Sequence, residues 1–462
     1  MAGISKSSLV PAAVGGLAVL ALAGWMLNSR LSLKERLPGE DQAGGGGPAA
    51  AAQGAGKLTK GPGEPADLRG DWPRFRGANW DNLVTDPTPL AKTWPENGPP
   101  RLWSVEVGEG FAAPAIWRGR VYLMDYDRAA QEDALRCLSL ADGREIWRYS
   151  YPAKIKRDHG MSRTIPSVTE NYTVAISPKC QVICVDSKEG ALKWRLDLPQ
   201  EFGTEIPPWY AGQCPYVEND RLILGVGGKA LVVAVDCLTG KILWRSANPS
   251  RWQMTHSSIA PLSFQGGRQY VYCGSGGLAG VNSEDGKILW TSTDWKIAIA
   301  NVPTPLVVGE GRFFLSGGYN AGSLMARLAG QGDTLKMETE YRLESKVFGA
   351  EQQTPIFYQG HIFGVRPDGQ LVCLGLDGKI VWQSGPANRF GKGPFLIAQG
   401  MIYALDDNGN LTLAEASISG YRQLARAKVL EGPDAWGPLA LAGGRLIVRD
   451  LYRMACLDVS AK

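Results

Sequence analysis

The chain has 462 residues, a hydrophobic share of 44% and a formal net charge of +4. That length fits two or three average domains or one closed repeat array, and the apolar share is ample for a core. So small a charge, with no basic run interleaved with aromatics, argues against a nucleic-acid partner.

Residues 1–36 read as an N-terminal membrane anchor or signal segment. Lys6 precedes a mainly apolar run from Leu9 to Leu27, and Arg30, Lys34 and Arg36 come after it. As a helix the run would be roughly 28 Å long, close to the roughly 30 Å of a bilayer core, so a single transmembrane helix is predicted. Ala21-Leu22-Ala23 resembles a cleavage site, which leaves a secreted or periplasmic product as the alternative. The apolar stretch continues through Trp25, Met26 and Leu27, favouring an uncleaved anchor, and no Cys stands after it that could carry a lipid. Residues 37–70, with Gly44 to Gly47, an Ala run and several prolines, read as a flexible linker. Residues 71–100 restore aromatics in Asp71-Trp72-Pro73-Arg74-Phe75-Arg76-Gly77, and are expected to pack as an irregular extension on the outside of the C-terminal repeat array, anchored by Trp80 and Trp94.

Residues 101–462 are dominated by one recurring phrase. Ala234 to Trp244 (AVDCLTGKILW) returns as Cys137 to Trp147, Cys184 to Trp194 and Gly280 to Trp290, with a small residue first, Ser, Asp or Asn third, Gly seventh and Trp last. Cys373 to Trp382 is one residue shorter, Ala326 to Lys336 and Ala414 to Leu424 lack the Trp, and Cys456 begins a copy that stops short. A period of about 42 to 50 residues filled with short strands indicates a propeller. Pro114, Pro166, Pro215, Pro305, Pro355, Pro394 and Pro438 open equivalent inner strands, with Pro261 in the remaining repeat. The predicted fold is therefore an all-β, eight-bladed propeller of four-stranded blades, preceded by the membrane helix and linker. The last repeat lacks its outer strand, whereas Arg101 to Val105 is an unpaired outer-type strand; its Trp103 is expected to complete the ring opposite Cys456. Trp103, Trp147, Trp194, Trp244, Trp290 and Trp382 are predicted to wedge between blades against the small surfaces of Gly143, Gly190, Gly240 and Gly286.

The eight cysteines invite a disulfide reading, but Cys137, Cys184, Cys373 and Cys456 occupy the phrase position that Ala or Gly fills elsewhere. Mostly free, buried thiols are expected.

The phrases Ala234 to Trp244, Gly280 to Trp290 and Cys184 to Trp194 resemble the PQQ-like propeller repeats with their tryptophan-docking motif. That family includes quinoprotein alcohol dehydrogenases, which use pyrroloquinoline quinone (PQQ) and calcium, and the non-catalytic propeller of the outer-membrane protein assembly machinery. The opening DWPRFRG is similar to membrane-tethered or secreted propellers of planctomycete-like bacteria. The dehydrogenases share an adjacent cysteine pair beside the quinone, and no two cysteines are adjacent here. No Cys-x-x-Cys-His haem site exists either. No cofactor or metal is expected, and PQQ with Ca²⁺ enters only if the chain is an enzyme.

What remains is the set of loops leading into the inner strands, which converge on one end of the channel. They carry His159, Arg163, Tyr210, His256, Asn301, Glu351, Gln352, Lys392 and Trp436. Such a funnel could hold a polar ligand or supply acid and base, or its groups could satisfy loop backbone and channel water. No catalytic residue is assigned, and a His pair without a third ligand does not argue for zinc. The expectation is a monomeric, non-catalytic binding or scaffolding module on a bacterial inner membrane, its propeller in the periplasm and its partners envelope proteins or a small polar ligand. The alternatives are a PQQ-dependent oxidoreductase acting on alcohols or sugars, and a carbohydrate or small-polyol binder.

Overall fold

The computed structural model describes residues 56–461, so the anchor run Leu9 to Leu27 lies outside the described residues. Among those described, no helix is long and apolar enough to cross a membrane.

Eight antiparallel sheets form the propeller, each running from a short inner strand to an outer one. The inner strands are Ala115–Trp117, Ser167–Val168, Tyr216–Glu218, Ala260–Phe264, Leu306–Gly309, Ile356–Tyr358, Phe395–Ala398 and Ala440–Ala442. The eighth sheet is completed by Arg101–Glu106, which pairs antiparallel with Arg453–Asp458 and sets Trp103 opposite Cys456. Its inner strand lies against that of the first blade. All eight cysteines are free and buried.

The repeated phrase has a mechanical explanation. Its third residue closes the outer hairpin: the side chains of Ser139, Asp186, Asp236 and Asn282 accept the backbone N–H two residues on, at 3.3, 3.0, 3.0 and 2.8 Å. Its seventh residue, such as Gly190 at φ +73°, is left-handed, and a Cβ there would sit 2.5 Å from the Trp147 ring of the preceding blade. Only glycine meets both conditions. The Trp N–H then reaches a carbonyl of the next blade: Trp103 Nε1 donates to Leu140 O at 2.9 Å and Trp194 Nε1 to Cys237 O at 2.7 Å. Behind Trp147 the equivalent Ser187 carbonyl accepts from Tyr122 instead, and the Trp147 N–H has no partner.

The fourth and fifth blades depart from the predicted frame. Trp290 stacks on Phe313 of the next blade, but its N–H turns inward to Gln269 Oε1 at 2.7 Å. In the fifth blade the docking residue is Tyr341, opposite Met325, and its ring meets Gly378 of the sixth. The longer loop carrying Gly332–Thr334 carries the docking position well past Lys336. In the seventh blade the register likewise pairs Leu413 with Ala425, one residue off the phrase as read from Ala414.

Two N-terminal expectations are corrected. Within the predicted linker, Lys57–Lys60 is a strand that pairs with Glu145–Pro152 and makes the first blade five-stranded. An unpaired outer edge supplies the backbone partners, and Lys60 adds an ion pair to Glu189 at 2.6 Å. Residues 71–84, in turn, do not lie outside the ring; they enter the central channel. Trp72 exchanges backbone hydrogen bonds with Ile116 at 2.9 and 2.8 Å, Pro73 O accepts from Val168 N at 2.8 Å, and Arg74 Nη1 donates to Val217 O at 3.1 Å. Trp80 stacks on Tyr216 at 4.6 Å, and Leu83–Val84 pairs parallel with Ile397 and Ala398. The inner strands turn unpaired backbone edges toward the channel, and this segment brings both the hydrogen bonds and the aromatic bulk to cover them. Residues beyond it return along the turn end of the seventh and eighth blades, where Ala91 N donates to Val459 O and Ala461 N to Pro89 O.

Candidate functional site

Residues 66–71, which lead into the segment 71–84 that plugs the channel, run beside the inner hairpin turn of the first blade, since Ala66 N donates to Gly119 O and Arg118 N to Asp71 Oδ1. At the opposite end, the loops that lead into the inner strands surround a cavity of about 390 Å³. His159, Arg163, His256, Glu351, Gln352, Lys392 and Trp436 all line it. Tyr210 and Asn301 do not. Tyr210 is buried and donates to Lys156 O at 2.5 Å, while Asn301 is buried against the Cys273 thiol, behind Ala300 and Val302. Three further lining residues, Phe75, Arg76 and Asn82, come from the plug.

Aromatic faces and cations alternate around the wall. Trp436 stacks on Phe111 at 5.1 Å, Lys392 Nζ lies 5.2 Å from the Trp436 ring, and Arg163 lies 5.6 Å from Phe111. Lys392 also pairs with Glu351 at 3.2 Å, and Trp436 Nε1 donates to Asp407 at 2.7 Å. Arg163 spends its donors on its own loop, on Gly160 O at 2.9 Å and His159 O at 2.7 Å. Burial lowers its pKa to about 10. Burial first, then the Arg163 charge, lowers His256 to about 3, so this imidazole is neutral across the physiological range. A general base works best with a pKa near the working pH, and His256 is far from it. His159, Trp209, Tyr210, Tyr319 and Asp434 hold φ of 49°, 59°, 73°, 55° and 55°, so several mouth loops are kept in a conformation that non-glycine residues rarely adopt.

Sequence reasoning missed Phe75, Arg76, Asn82, Phe111 and Tyr319 as lining residues, whereas Trp209, which precedes Tyr210 in a loop leading into an inner strand, was legible by its position and does line the cavity. Phe111 sits in the same class of loop as the residues singled out, so loop position was a usable signal for it. For the plug residues the only signal was the aromatic and arginine content of DWPRFRG, which does not say which surface it covers.

The residues do not fit PQQ with calcium. A Ca²⁺ ion takes about six to eight oxygen ligands, whereas the one lining carboxylate, Glu351, is held by Lys392, and Arg76 and Arg163 add positive charge. Cys214 lines the cavity as a single thiol, pushed up to about 12 by burial. Among the described residues, no three His, Cys, Asp or Glu side chains come together as a metal site.

Eight blades of four strands each, two of them extended by a fifth strand from the N-terminal segment, with tryptophan docking between blades, define a PQQ-like repeat propeller. The family described as outer membrane protein assembly factor BamB matches residues 131–384, more than half of the chain, and the chain belongs to that family. The outer membrane protein assembly factor BamB of Xanthomonas campestris pv. campestris is 28% identical over 125 residues, covering 25% of this chain and 30% of that protein's length. Among solved structures, BamB from Moraxella catarrhalis aligns with a TM-score of 0.52 at 14% identity, over 78% of this chain and 99% of that one. The computationally designed Ika8 protein aligns with a TM-score of 0.52 at 10% identity, over 77% of this chain and 99% of its own. At these identities the two structures speak for the fold alone.

Proposed function

We propose that the protein is a monomeric, non-catalytic scaffold that is tethered to a bacterial inner membrane by its N-terminal segment and binds envelope proteins through its periplasmic propeller. Membership of the BamB family across residues 131–384 carries this reading. Two features support it. The outer strands of the second, third and sixth blades expose Leu192, Leu243, Ile380 and Val381, apolar groups suited to a protein partner. The first blade already accepts an added strand, Lys57–Lys60, at its outer edge, which is one way such a ring binds an extended segment. The cavity does not favour the oxidoreductase alternative, since burial keeps His256 neutral and Lys392 holds the Glu351 carboxylate.

Co-purification from detergent-solubilised cells tests the reading. Full-length protein should bring down defined envelope proteins, and variants with Leu192 and Leu243 or Ile380 and Val381 changed to Ser should lose some of them. Dye reduction with alcohols or sugars after adding PQQ and calcium would contradict it.

A further inference from the structure

Cations outnumber anions in the wall of the cavity at the channel mouth, where Arg76, Arg163 and Lys392 stand against the single carboxylate of Glu351. Arg76, from residues 71–84, is 4% exposed; among the described residues its side chain makes one hydrogen bond, from Nη2 to Pro355 O at 3.2 Å, and its Nε has no partner. Asp81 acts on it from beyond ion-pair distance, and the Asp81 carboxylate accepts the Leu83 N–H at 2.9 Å. Arg163 gives its hydrogen bonds to backbone carbonyls, and the Asp158 charge acts on it only from beyond ion-pair distance. Among the described residues neither guanidinium makes an ion pair, although both line the same cavity. The third cation there, Lys392, is neutralised by Glu351. A buried cation without a counter-ion is costly, and a guanidinium's planar fork matches a carboxylate better than any other side chain does.

The rest of the wall selects the body of the ligand. Phe75, Phe111, Trp209, Tyr319 and Trp436 present aromatic surface, and about 390 Å³ lies within the range of small-molecule sites. We propose that this cavity binds a small organic carboxylate with a flat apolar body, its carboxylate meeting Arg76 in the field of the nearby Arg163 charge and its body lying among the aromatic residues. Because Arg76 and Phe75 belong to residues 71–84, the site exists only while that segment occupies the channel. The bound ligand therefore strengthens the seating of the segment that leads back to the N-terminus. This binding needs no bond to form or break and does not depend on the scaffolding role.

Calorimetric titration of the purified protein with benzoate and indole-3-acetate, each beside its neutral amide, tests the proposal. At least one carboxylate should bind saturably below about 10 mM, at least tenfold more tightly than its amide. Arg76→Gln should weaken it at least tenfold, with partial recovery in Arg76→Lys. If Arg76→Gln fails to fold, the comparison of acid with amide on the unaltered protein decides alone. Absence of saturable binding for both carboxylates, equal binding of acid and amide, or undiminished binding by a folded Arg76→Gln protein would overturn the proposal. Binding of sulfate in preference to both carboxylates would also overturn it, since it would mark a bare oxyanion site.

Discussion

The outer belt of the propeller and its central channel are built from the same blades by opposite logic. In the belt, one solution is used repeatedly: an Asp, Asn or Ser closes the hairpin, a glycine with positive φ clears the space, and a tryptophan of the preceding blade fills it. In the channel nothing repeats. One segment, 71–84, makes a different contact at each blade it meets, with backbone pairing at Trp72, stacking at Trp80 and a parallel bridge at Leu83. A belt built from many equivalent wedges can lose one of them and remain a ring, whereas a channel filled once depends on its single occupant.

The largest expected effect comes from that contrast. A chain that begins at residue 86, and so keeps the closing strand Arg101–Glu106, should lower the melting temperature by about 10 °C or more, or fail to stay soluble. It loses the partners of Ile116, Val168 and Ile397 and uncovers Tyr216. Melting within about 2 °C of the full-length protein would mean that the channel does not need its occupant.

Single wedges should cost less. Trp147 is fully buried and edges onto Tyr122 at 5.9 Å, so Trp147→Ala should lose about 3–5 kcal/mol in chemical denaturation. Trp244, half-buried and with an unpartnered N–H, should lose about 1–3 kcal/mol. The reverse order would show that exposure does not set the strength of the belt.

Asp133 in the first blade gives an effect no larger than that of Trp244, and a distinctive one. Burial pushes its carboxyl up to about 8 from 3.8, against the hydrogen bond it accepts from Tyr151 at 2.8 Å. A raised pKa means that the folded state holds the proton more tightly. The resulting stabilisation is complete below the ordinary carboxylate value and is lost as pH rises through about 8. Stability should fall by about 1–3 kcal/mol between about pH 5 and pH 9, and Asp133→Asn, which retains an acceptor for Tyr151, should remove that slope. Parallel profiles for the two proteins would place the titration elsewhere.

The same contrast explains what the sequence could reveal. Trp103, Trp147, Trp194 and Trp244, with Gly143, Gly190, Gly240 and Gly286, are legible because repetition aligns them, so position alone states their packing. Tyr341 is not legible, because the extra residues around Gly332–Thr334 break the spacing on which the alignment relies. The loops carrying His159, His256, Glu351 and Lys392 could be assigned to one end of the channel because each precedes an inner strand. Tyr210 and Asn301 share that position, yet their side chains turn into the protein, a matter of rotamer and loop backbone that periodicity does not encode. Residues 71–84 occur once. Their aromatic content announces burial but not the surface that provides it.

Hydrogen exchange read by mass spectrometry on the full-length protein tests the plugged channel most directly. The backbone N–H groups of Trp72, Asn82, Ile116 and Ile397 are all hydrogen-bonded within it or to it. Peptides spanning 71–84 should therefore exchange as slowly as those of the inner strands 115–117 and 395–398, which the same bonds protect. Exchange of 71–84 within seconds, while the inner strands stay protected, would contradict a channel closed by this segment.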